Sequence, residues 1–329
     1  MELKLTSAGS HPRVGDTPED QRLRRARRLW EEGALSDPQY LDAQRVVTAE
    51  AIQEQVTAGL DLVTDGQVRW GDPVSHVAGN FSGVEVNGLL RYFDTNFYFR
   101  QPVIRGPVKR KSPLLIEDYR YATSVSERPV KPVLTGPYTT ALLSIVEWEG
   151  YRDRRKLVED LARALAEEVA GLSAAGASLI QIDEPEILKH PEDLPLLADA
   201  LGLLAESKGK AQLALYVYFG DASSLLDRLL DLPVDVLGLD FTYSEDLAER
   251  IVSISPQKTL GLGLVDGRNT RLETLGEMRR TLEVVLPSLK ADHCYLNPSC
   301  GLEYLPRGRA REKLALLSEI RRDLKGGKP

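Results

Sequence analysis

The chain has 329 residues, of which 42% are apolar and 28% are charged, and its formal net charge is −7 at pH 7. This acidic balance argues against a nucleic-acid partner, because phosphate backbones require a basic surface. No apolar run approaches the roughly 18 residues of a membrane span, and the first residues contain neither a signal-peptide block nor a lipidation motif. We therefore expect a folded cytoplasmic protein that binds neither nucleic acid nor a membrane.

Short aliphatic runs bounded by turn residues predict eight β-strands, at 4–9, 60–65, 129–135, 178–183, 212–218, 234–241, 259–265 and 294–298. Segments with helical periodicity lie between them, at 20–58, 157–172, 194–204, 222–232, 275–289 and 309–324. This alternation predicts an α/β fold, a (β/α)8 TIM barrel that spans residues 1–329 as a single domain.

Residues 80–112 depart from the alternation of strands and helices. They are rich in aromatic and β-forming residues and contain Asn87-Gly88, a dipeptide typical of hairpin turns. We expect a β-hairpin, inserted after the second strand, that covers one mouth of the barrel.

The active site of a (β/α)8 barrel lies at the C-terminal ends of its strands. Every predicted strand ends in polar or turn-forming residues, as a shared site requires. For catalysis we select Asp183, Tyr216, Tyr218 and Asp240. The candidates for substrate binding are Ser10, His11, Asp65, Gln67, Arg69, Glu184, Asp266, Arg268 and Asn269.

Two carboxylates follow the fourth predicted strand directly, in the sequence IQIDEP at 180–185. Pro185 stops the strand, so Asp183 and Glu184 are expected at the rim, where they could bind an ammonium group or act as a base. The alternative is a structural role, in which one acid caps a helix N-terminus.

The last predicted strand leads into NPSCGL at 297–302. Cys300 at this strand end could serve as a thiolate ligand or nucleophile, since the following glycine permits close approach. An inert buried thiol is the alternative, and it is the favoured interpretation for Cys294 within the strand. These two cysteines are the only ones in the chain, so no disulfide framework is expected.

Six motifs occur in order along the chain, namely AGSHPR at 8–13, TDGQVRW at 64–70, LTGPYT at 134–139, IQIDEP at 180–185, GLVDGRNTR at 263–271 and NPSCGL at 297–302. Together they resemble the cobalamin-independent methionine synthase family, over nearly the whole chain. The family fold is a (β/α)8 barrel, in agreement with the strand pattern. Long family members carry two barrels, and this chain has the length of one.

The resemblance implies a methyltransferase that acts on homocysteine or a related small thiol. In the family's catalytic barrel a zinc ion, held by a His-x-Cys pair, an acid and a Cys, binds the thiol, and a methylfolate supplies the methyl group. By this resemblance Cys300 matches the last zinc ligand and Asp240 stands where the family has a Glu. Ser10 and Asp183 match groups that hold the amino acid substrate.

The chain also departs from the family pattern. Tyr216 and Tyr218 replace the His-x-Cys pair, Gln67 replaces a substrate-binding Glu, and Leu143 stands where a Trp would stack on the pterin. The sequence therefore does not decide whether Cys300 and Asp240 form a zinc site. It also does not decide whether the methyl donor is a methylcorrinoid or a methylfolate. The motif YVYFGD at 216–221 is more similar to the zinc-free N-terminal barrel of long members.

Three functions follow from these observations. The first is methyl transfer to a small thiol, without folate. The second is a zinc-free partner subunit of a split methionine synthase, in contact with a second barrel or a corrinoid protein. The third is a lyase or hydrolase on the same scaffold, since fold does not fix function.

A basic run, formed by Arg24, Arg25, Arg27 and Arg28, lies within the first predicted helix. We interpret it as a solvated helix face, in preference to a phosphate-binding site.

Overall fold

The computed structural model describes residues 1–326. Its strands are β1 (Glu2–Leu5), β2 (Phe81–Arg91), β3 (Tyr98–Arg110), β4 (Val133–Thr135), β5 (Ile145–Val146), β6 (Leu179–Asp183), β7 (Gln212–Val217), β8 (Val236–Asp240), β9 (Thr259–Val265) and β10 (His293–Pro298). Its α-helices are α1 (Arg22–Glu31), α2 (Asp37–Thr57), α3 (Pro73–Ala78), α4 (Ile116–Val125), α5 (Pro137–Leu142), α6 (Arg154–Ala174), α7 (Leu194–Ser207), α8 (Leu226–Leu230), α9 (Leu247–Ile254), α10 (Leu275–Val285) and α11 (Arg307–Leu324).

Seven parallel strands form one sheet, in the order β1, β10, β9, β8, β7, β6, β4. Two isolated parallel bridges close it into a ring, since Thr6 pairs with Leu62 and Val63 pairs with Val130. The second strand of the barrel is therefore reduced to these two bridges. The predicted (β/α)8 barrel is confirmed.

The strands are buried on both faces, as their near-continuous aliphatic sequences require. Every residue of β6 and β8 is buried, as is every residue of β7 after Gln212. Helix α6 packs its leucine and alanine face against the ring of strands. None of the helices within residues 1–326 combines the length and the apolar character needed to cross a membrane.

The first predicted helix is in fact two helices, α1 and α2. The break contains Gly33, whose φ of 74° lies in the left-handed region. A capping box then starts α2, in which Ser36 and Gln39 bond each other's backbone amides. Gly33 and the capping box thus mark the boundary between the two helices.

The inserted segment forms the antiparallel pair β2 and β3. Its turn lies at 92–97, where the Tyr92 amide donates to the Phe97 carbonyl at 2.8 Å. Asn87 and Gly88 instead lie inside β2, at a shift of the strand register. A third strand, β5, pairs parallel with the middle of β3, at Val103 and Ile104.

A buried carboxylate on α6 fixes the exit of this hairpin. Glu168 is 1% exposed and accepts a 2.9 Å hydrogen bond from Arg110 Nε at the end of β3. It also accepts from the backbone amides of Leu114 at 2.9 Å and Leu115 at 2.7 Å. One side chain thus satisfies a guanidinium and two amides that would otherwise be buried without acceptors.

We expect Glu168→Ala to lower the free energy of unfolding by about 3 kcal/mol, because it leaves the half-buried Arg110 and two backbone amides without their acceptor. Urea denaturation measures this loss. Glu167→Ala is the matched control, since Glu167 is the exposed neighbour at 3.9 Å from Arg110, and it should cost less than about 1 kcal/mol. Equal losses in the two variants would contradict this account of the hairpin base.

Candidate active site

Asp183 ends β6 inside the barrel mouth and forms the centre of the site. One of its oxygens accepts a 2.6 Å hydrogen bond from Gln181 Nε2, and the other accepts from the Tyr218 hydroxyl at 3.2 Å. Burial raises the pKa of Asp183 to about 7. The carboxyl group can therefore both give and take a proton near neutral pH.

Lys131 is a functional candidate that the sequence analysis missed. It is fully buried inside the barrel, where Nζ donates to the Ser7 carbonyl at 2.8 Å and lies 4.8 Å from the centroid of the Tyr216 ring. Burial lowers the pKa of Lys131 to about 7, and the charge of Asp183 opposes this shift. The available signal was a single lysine in the otherwise apolar strand PVKPVLT.

Tyr216 fills the barrel interior because two neighbouring strands carry glycine opposite it. A Cβ at Gly238 would lie 2.5 Å from a ring carbon of Tyr216, and a Cβ at Gly261 would lie 2.8 Å from its hydroxyl oxygen. This hydroxyl donates to Asn297 Oδ1 at 3.4 Å. Burial raises the pKa of Tyr216 and that of Tyr218 well above 10, so both phenols are hydrogen-bond donors rather than bases.

An aromatic cover closes the mouth above Asp183. Phe219 follows β7 with a φ of 67°, and its ring lies 4.6 Å from the ring of Tyr218. The hairpin turn contributes Phe93, 5.2 Å from Phe219, and Tyr304 completes the cover at 5.9 Å. Asp183 is consequently only 8% exposed.

Asp240 supports this cover. Its Oδ2 accepts from the Phe219 amide at 3.2 Å, and its Oδ1 accepts from the amide and hydroxyl of Thr242 at 2.8 and 2.6 Å. The bond to the amide helps to hold Phe219 in a backbone conformation that a residue with a side chain rarely adopts. Burial raises the pKa of Asp240 to about 6.

Cys300 is buried next to the mouth as a thiol. Its Sγ donates to the Gly301 carbonyl at 3.4 Å and lies 3.9 Å from the Ser299 hydroxyl. Burial raises the pKa of Cys300 well above its ordinary value, and the charge of Asp240 raises it further. Without a metal ion, the site thus favours the neutral thiol.

The donors near Cys300 do not fit a zinc ion. Both oxygens of Asp240 are used by backbone and hydroxyl donors, and the phenols of Tyr216 and Tyr218 bond Asn297 and Asp183. Phenols are also poor replacements for imidazole and thiolate on zinc. Within residues 1–326, no three His, Cys, Asp or Glu side chains are grouped so as to hold a metal ion.

Glu184 follows Asp183 but has a different use. It is fully buried, and its two oxygens accept from the backbone amides of Tyr138 at 2.9 Å and Thr139 at 2.6 Å. These amides open α5, so Glu184 satisfies a helix N-terminus, as the structural alternative proposed. Burial raises the pKa of Glu184 to about 7.

The first strand contributes two residues with different surroundings. Ser10 is buried, and its carbonyl accepts from the Leu302 amide at 2.9 Å, which joins the ends of β1 and β10 at the mouth. His11 Nε2 lies 2.7 Å from a carboxylate oxygen of Glu54 on α2. Glu54 in turn pairs with Arg307 on α11, so the His11 side chain joins two outer helices.

The candidates that follow the second strand of the barrel also have different surroundings. Gln67 has a φ of 52°, and its amide lies beside Gly9 at the mouth. Arg69 forms an ion pair with Asp118 of α4. Asp65 accepts from the Gln67 amide at 3.0 Å, and burial raises the pKa of Asp65 to about 6.

After β9, Asp266 and Asn269 hold the loop itself. Asp266 accepts from the Arg268 amide at 2.8 Å, and Asn269 accepts from the Arg271 amide at 3.0 Å. The Arg268 guanidinium reaches further, and its central carbon lies 5.0 Å from the centroid of the Phe219 ring. Arg268 therefore packs on the aromatic cover.

The sequence comparisons agree with this architecture. The family model described as "Cobalamin-independent synthase, Catalytic domain" matches residues 10–322. The chain belongs to this family. A methionine synthase of Saccharolobus solfataricus is 31% identical over 318 residues, which cover 95% of each chain. One from Pyrococcus abyssi is 30% identical over 302 residues, or 92% of this chain and 88% of that protein.

Solved structures show the same fold. A B12-independent methionine synthase from Shewanella sp. W3-18-1, in complex with selenomethionine, superposes with a TM-score of 0.80 at 23% identity, covering 99% of this chain and 100% of that one. A vitamin-B12-independent methionine synthase described as putative, from Listeria monocytogenes, gives 0.77 at 16% identity, with 98% and 99% covered. The family predicted from the six motifs is confirmed.

The raised pKa of Asp183 makes stability depend on pH. Between its ordinary pKa of 3.8 and its folded value of about 7, the folded chain binds more protons than the unfolded chain. The contribution of Asp183 to the free energy of unfolding therefore falls as the pH rises through this window. Lys131 acts with the opposite sign above pH 7, because its pKa is lowered from 10.5 to about 7.

We expect Asp183→Asn to flatten this decline, since the amide does not titrate. Urea unfolding of both proteins at about pH 5 and about pH 7 measures the difference in slope. The other buried carboxyls remain in both proteins, and their contributions cancel in the comparison. An equal or steeper decline in the variant would contradict the proposed protonation of Asp183.

Proposed function

We propose that this protein is a methyltransferase that moves a methyl group to the sulfur of homocysteine or a related small thiol. The full-length similarity to proteins named methionine synthase supports the reaction. The observation that carries the proposal at the level of the site is the buried carboxyl group of Asp183, poised at neutral pH at the end of β6.

In this proposal the chain's own groups activate the thiol. The sulfur must lose its proton before it attacks the methyl group, and Asp183 accepts that proton, because its pKa is close to the working pH. As the new sulfur–carbon bond forms, the bond between the methyl group and its donor breaks, and the donor keeps that electron pair. The proton on Asp183 then returns to solvent or to the departing donor.

Two neighbours assist Asp183. The Lys131 ammonium, buried in the same barrel interior, favours negative charge on the carboxylate. The Tyr218 hydroxyl donates to Oδ2 at 3.2 Å and orients the carboxyl group. Zinc in relatives would lower the pKa of a bound thiol, but the donors around Cys300 do not fit it, and the proposed steps do not use a metal.

We propose a methylcorrinoid rather than a methylfolate as the methyl donor. Leu143, at the position expected for a pterin-stacking Trp, packs with the buried aromatic group of Tyr92 and Phe99. This side chain offers no flat surface to a pterin ring. A corrinoid on a separate protein would bring its methyl group to the mouth from outside, and the hairpin turn at 92–97 would have to move aside.

The test supplies homocysteine with methylcobalamin or with methyltetrahydrofolate and measures methionine by mass spectrometry. We expect methionine from methylcobalamin, and a rate about 100-fold lower in Asp183→Asn, as for loss of a general base. Asp199→Asn, an exposed aspartate on α7 that pairs with Arg155, should keep the normal rate. Absence of methionine with both donors would overturn the proposal.

A second function is favoured by the aromatic cover and the missing zinc donors. In this alternative the chain is a zinc-free partner subunit of a split methionine synthase, and catalysis resides in a separate zinc-bearing barrel. Mixing the two proteins should then raise methionine formation above that of the zinc-bearing barrel alone, and Asp183→Asn should not change this gain. Failure of the two proteins to co-purify or to stimulate one another would count against it.

A further inference from the structure

A cleft of about 500 Å³ lies beside the barrel mouth, between α1 and the loops that follow β1 and β10. None of the catalytic candidates lines it. Its lining is dominated by arginine and aromatic side chains, which are Arg13, Arg24, Arg27, Arg69, Trp30, Tyr40, Trp70 and Phe97.

The cleft is cationic on a protein whose net charge is −7. Glu303 is the carboxylate in its lining, and it pairs with Arg13 at 3.0 Å. Burial raises the pKa of Glu303, and the charge of Arg13 opposes this shift. Four arginines therefore face one carboxyl group.

Three of the four arginines form ion pairs, but only Arg13 pairs with a carboxylate of the cleft lining. Arg24 makes no ion pair within residues 1–326, and the partner of Arg27 is Glu31, an exposed residue of the same helix. Arg69 pairs with Asp118 on α4, but its Nε is buried without a hydrogen-bond partner. An anion in the cleft would be stabilised by the guanidinium groups that line it.

The floor and wall of the cleft add features suited to a flat apolar group. Trp70 lies in the lining but is only 3% exposed, with its ring stacked on His76 at a centroid distance of 4.6 Å. Trp30 and Tyr40 stack on each other with their centroids 4.9 Å apart and their planes 13° apart, and Trp30 is 39% exposed. Aromatic walls next to guanidinium groups are typical of sites for planar anions.

The structure divides the basic run of α1, which the sequence analysis interpreted as one solvated face. Arg24 and Arg27 line the cleft, three residues apart on one side of the helix. Arg25 and Arg28 lie outside its lining, with Arg25 donating to the Pro18 carbonyl at 2.6 Å. Half of the run thus faces a concave, aromatic surface, and the other half does not.

We propose that this cleft binds a small molecule that carries a flat ring and two negative charges, as an aryl phosphate or an aromatic dicarboxylate does. The arginines take the oxyanions, and the ring lies against the aromatic wall. The cleft adjoins the mouth through Arg13 and Phe97, yet the inference does not depend on the methyl-transfer proposal, because binding alone tests it.

The experiment titrates the protein with phenyl phosphate and with isophthalate, using calorimetry and intrinsic fluorescence. Trp30 and Trp70 are two of the three tryptophans in the chain, so a ligand in the cleft should change the emission. Inorganic phosphate carries the charge without the ring, and phenol carries the ring without the charge. Each should bind more weakly than phenyl phosphate. Whichever of phenyl phosphate and isophthalate has the lower dissociation constant shows whether the cleft prefers a phosphate or a pair of carboxylates.

Matched double variants on α1 decide whether the cleft is the site. Arg24→Gln with Arg27→Gln should raise the dissociation constant by about tenfold or more, because two charge-assisted contacts are removed. Arg25→Gln with Arg28→Gln removes the same charge from the same helix and should change it less than about twofold.

Equal weakening in both double variants would show that only the overall charge matters, and it would overturn the proposal. The proposal would also fail if neither dianion bound, or if inorganic phosphate bound as tightly as phenyl phosphate. If the protein bound a dianion in the cleft but did not transfer a methyl group, the proposed function would fail and the proposal for the cleft would stand.

Discussion

The arrangement of the mouth depends on one packing constraint, namely that Tyr216 occupies the barrel interior opposite Gly238 and Gly261. A side chain at either glycine would collide with the phenol ring or hydroxyl. The large ring fixes the end of β7 and places the next inward-facing residue, Tyr218, against Asp183. Both phenols are engaged in hydrogen bonds, Tyr216 with Asn297 and Tyr218 with Asp183.

Burial then links the parts of the mouth. The aromatic cover removes water from Asp183, and this raises the pKa of its carboxyl group, while the charge of Lys131 favours the ionised form. Asp240 contributes indirectly, because it holds the backbone of Phe219 in the cover. A proton acceptor near neutral pH is thus obtained without a metal, at the cost of an entrance that the hairpin turn closes.

The sequence was informative where one residue type carries a local signal. Buried strands appear as continuous aliphatic runs, and Asp183 follows directly from such a run. The sequence was not informative where the role of a residue depends on contacts with residues that are distant in the chain. The use of Glu184 became visible only through the α5 amides, which lie about 45 residues earlier in the chain. For Lys131 the sequence offers a lysine in an apolar strand, but its partners, the Ser7 carbonyl and the Tyr216 ring, lie in distant segments. Similarly, only the three-dimensional position of α1 separates Arg24 from Arg25.

Zinc content tests the central claim, that this mouth works without a zinc-bound thiol. Plasma mass spectrometry on untagged protein, purified without chelators and measured with and without homocysteine, gives the metal content per chain. The account predicts zinc far below one ion per chain, with the same content in Cys300→Ser. Zinc close to one ion per chain that disappears in Cys300→Ser would contradict it, and would mean that Asp240 and the tyrosines rearrange to complete a metal site.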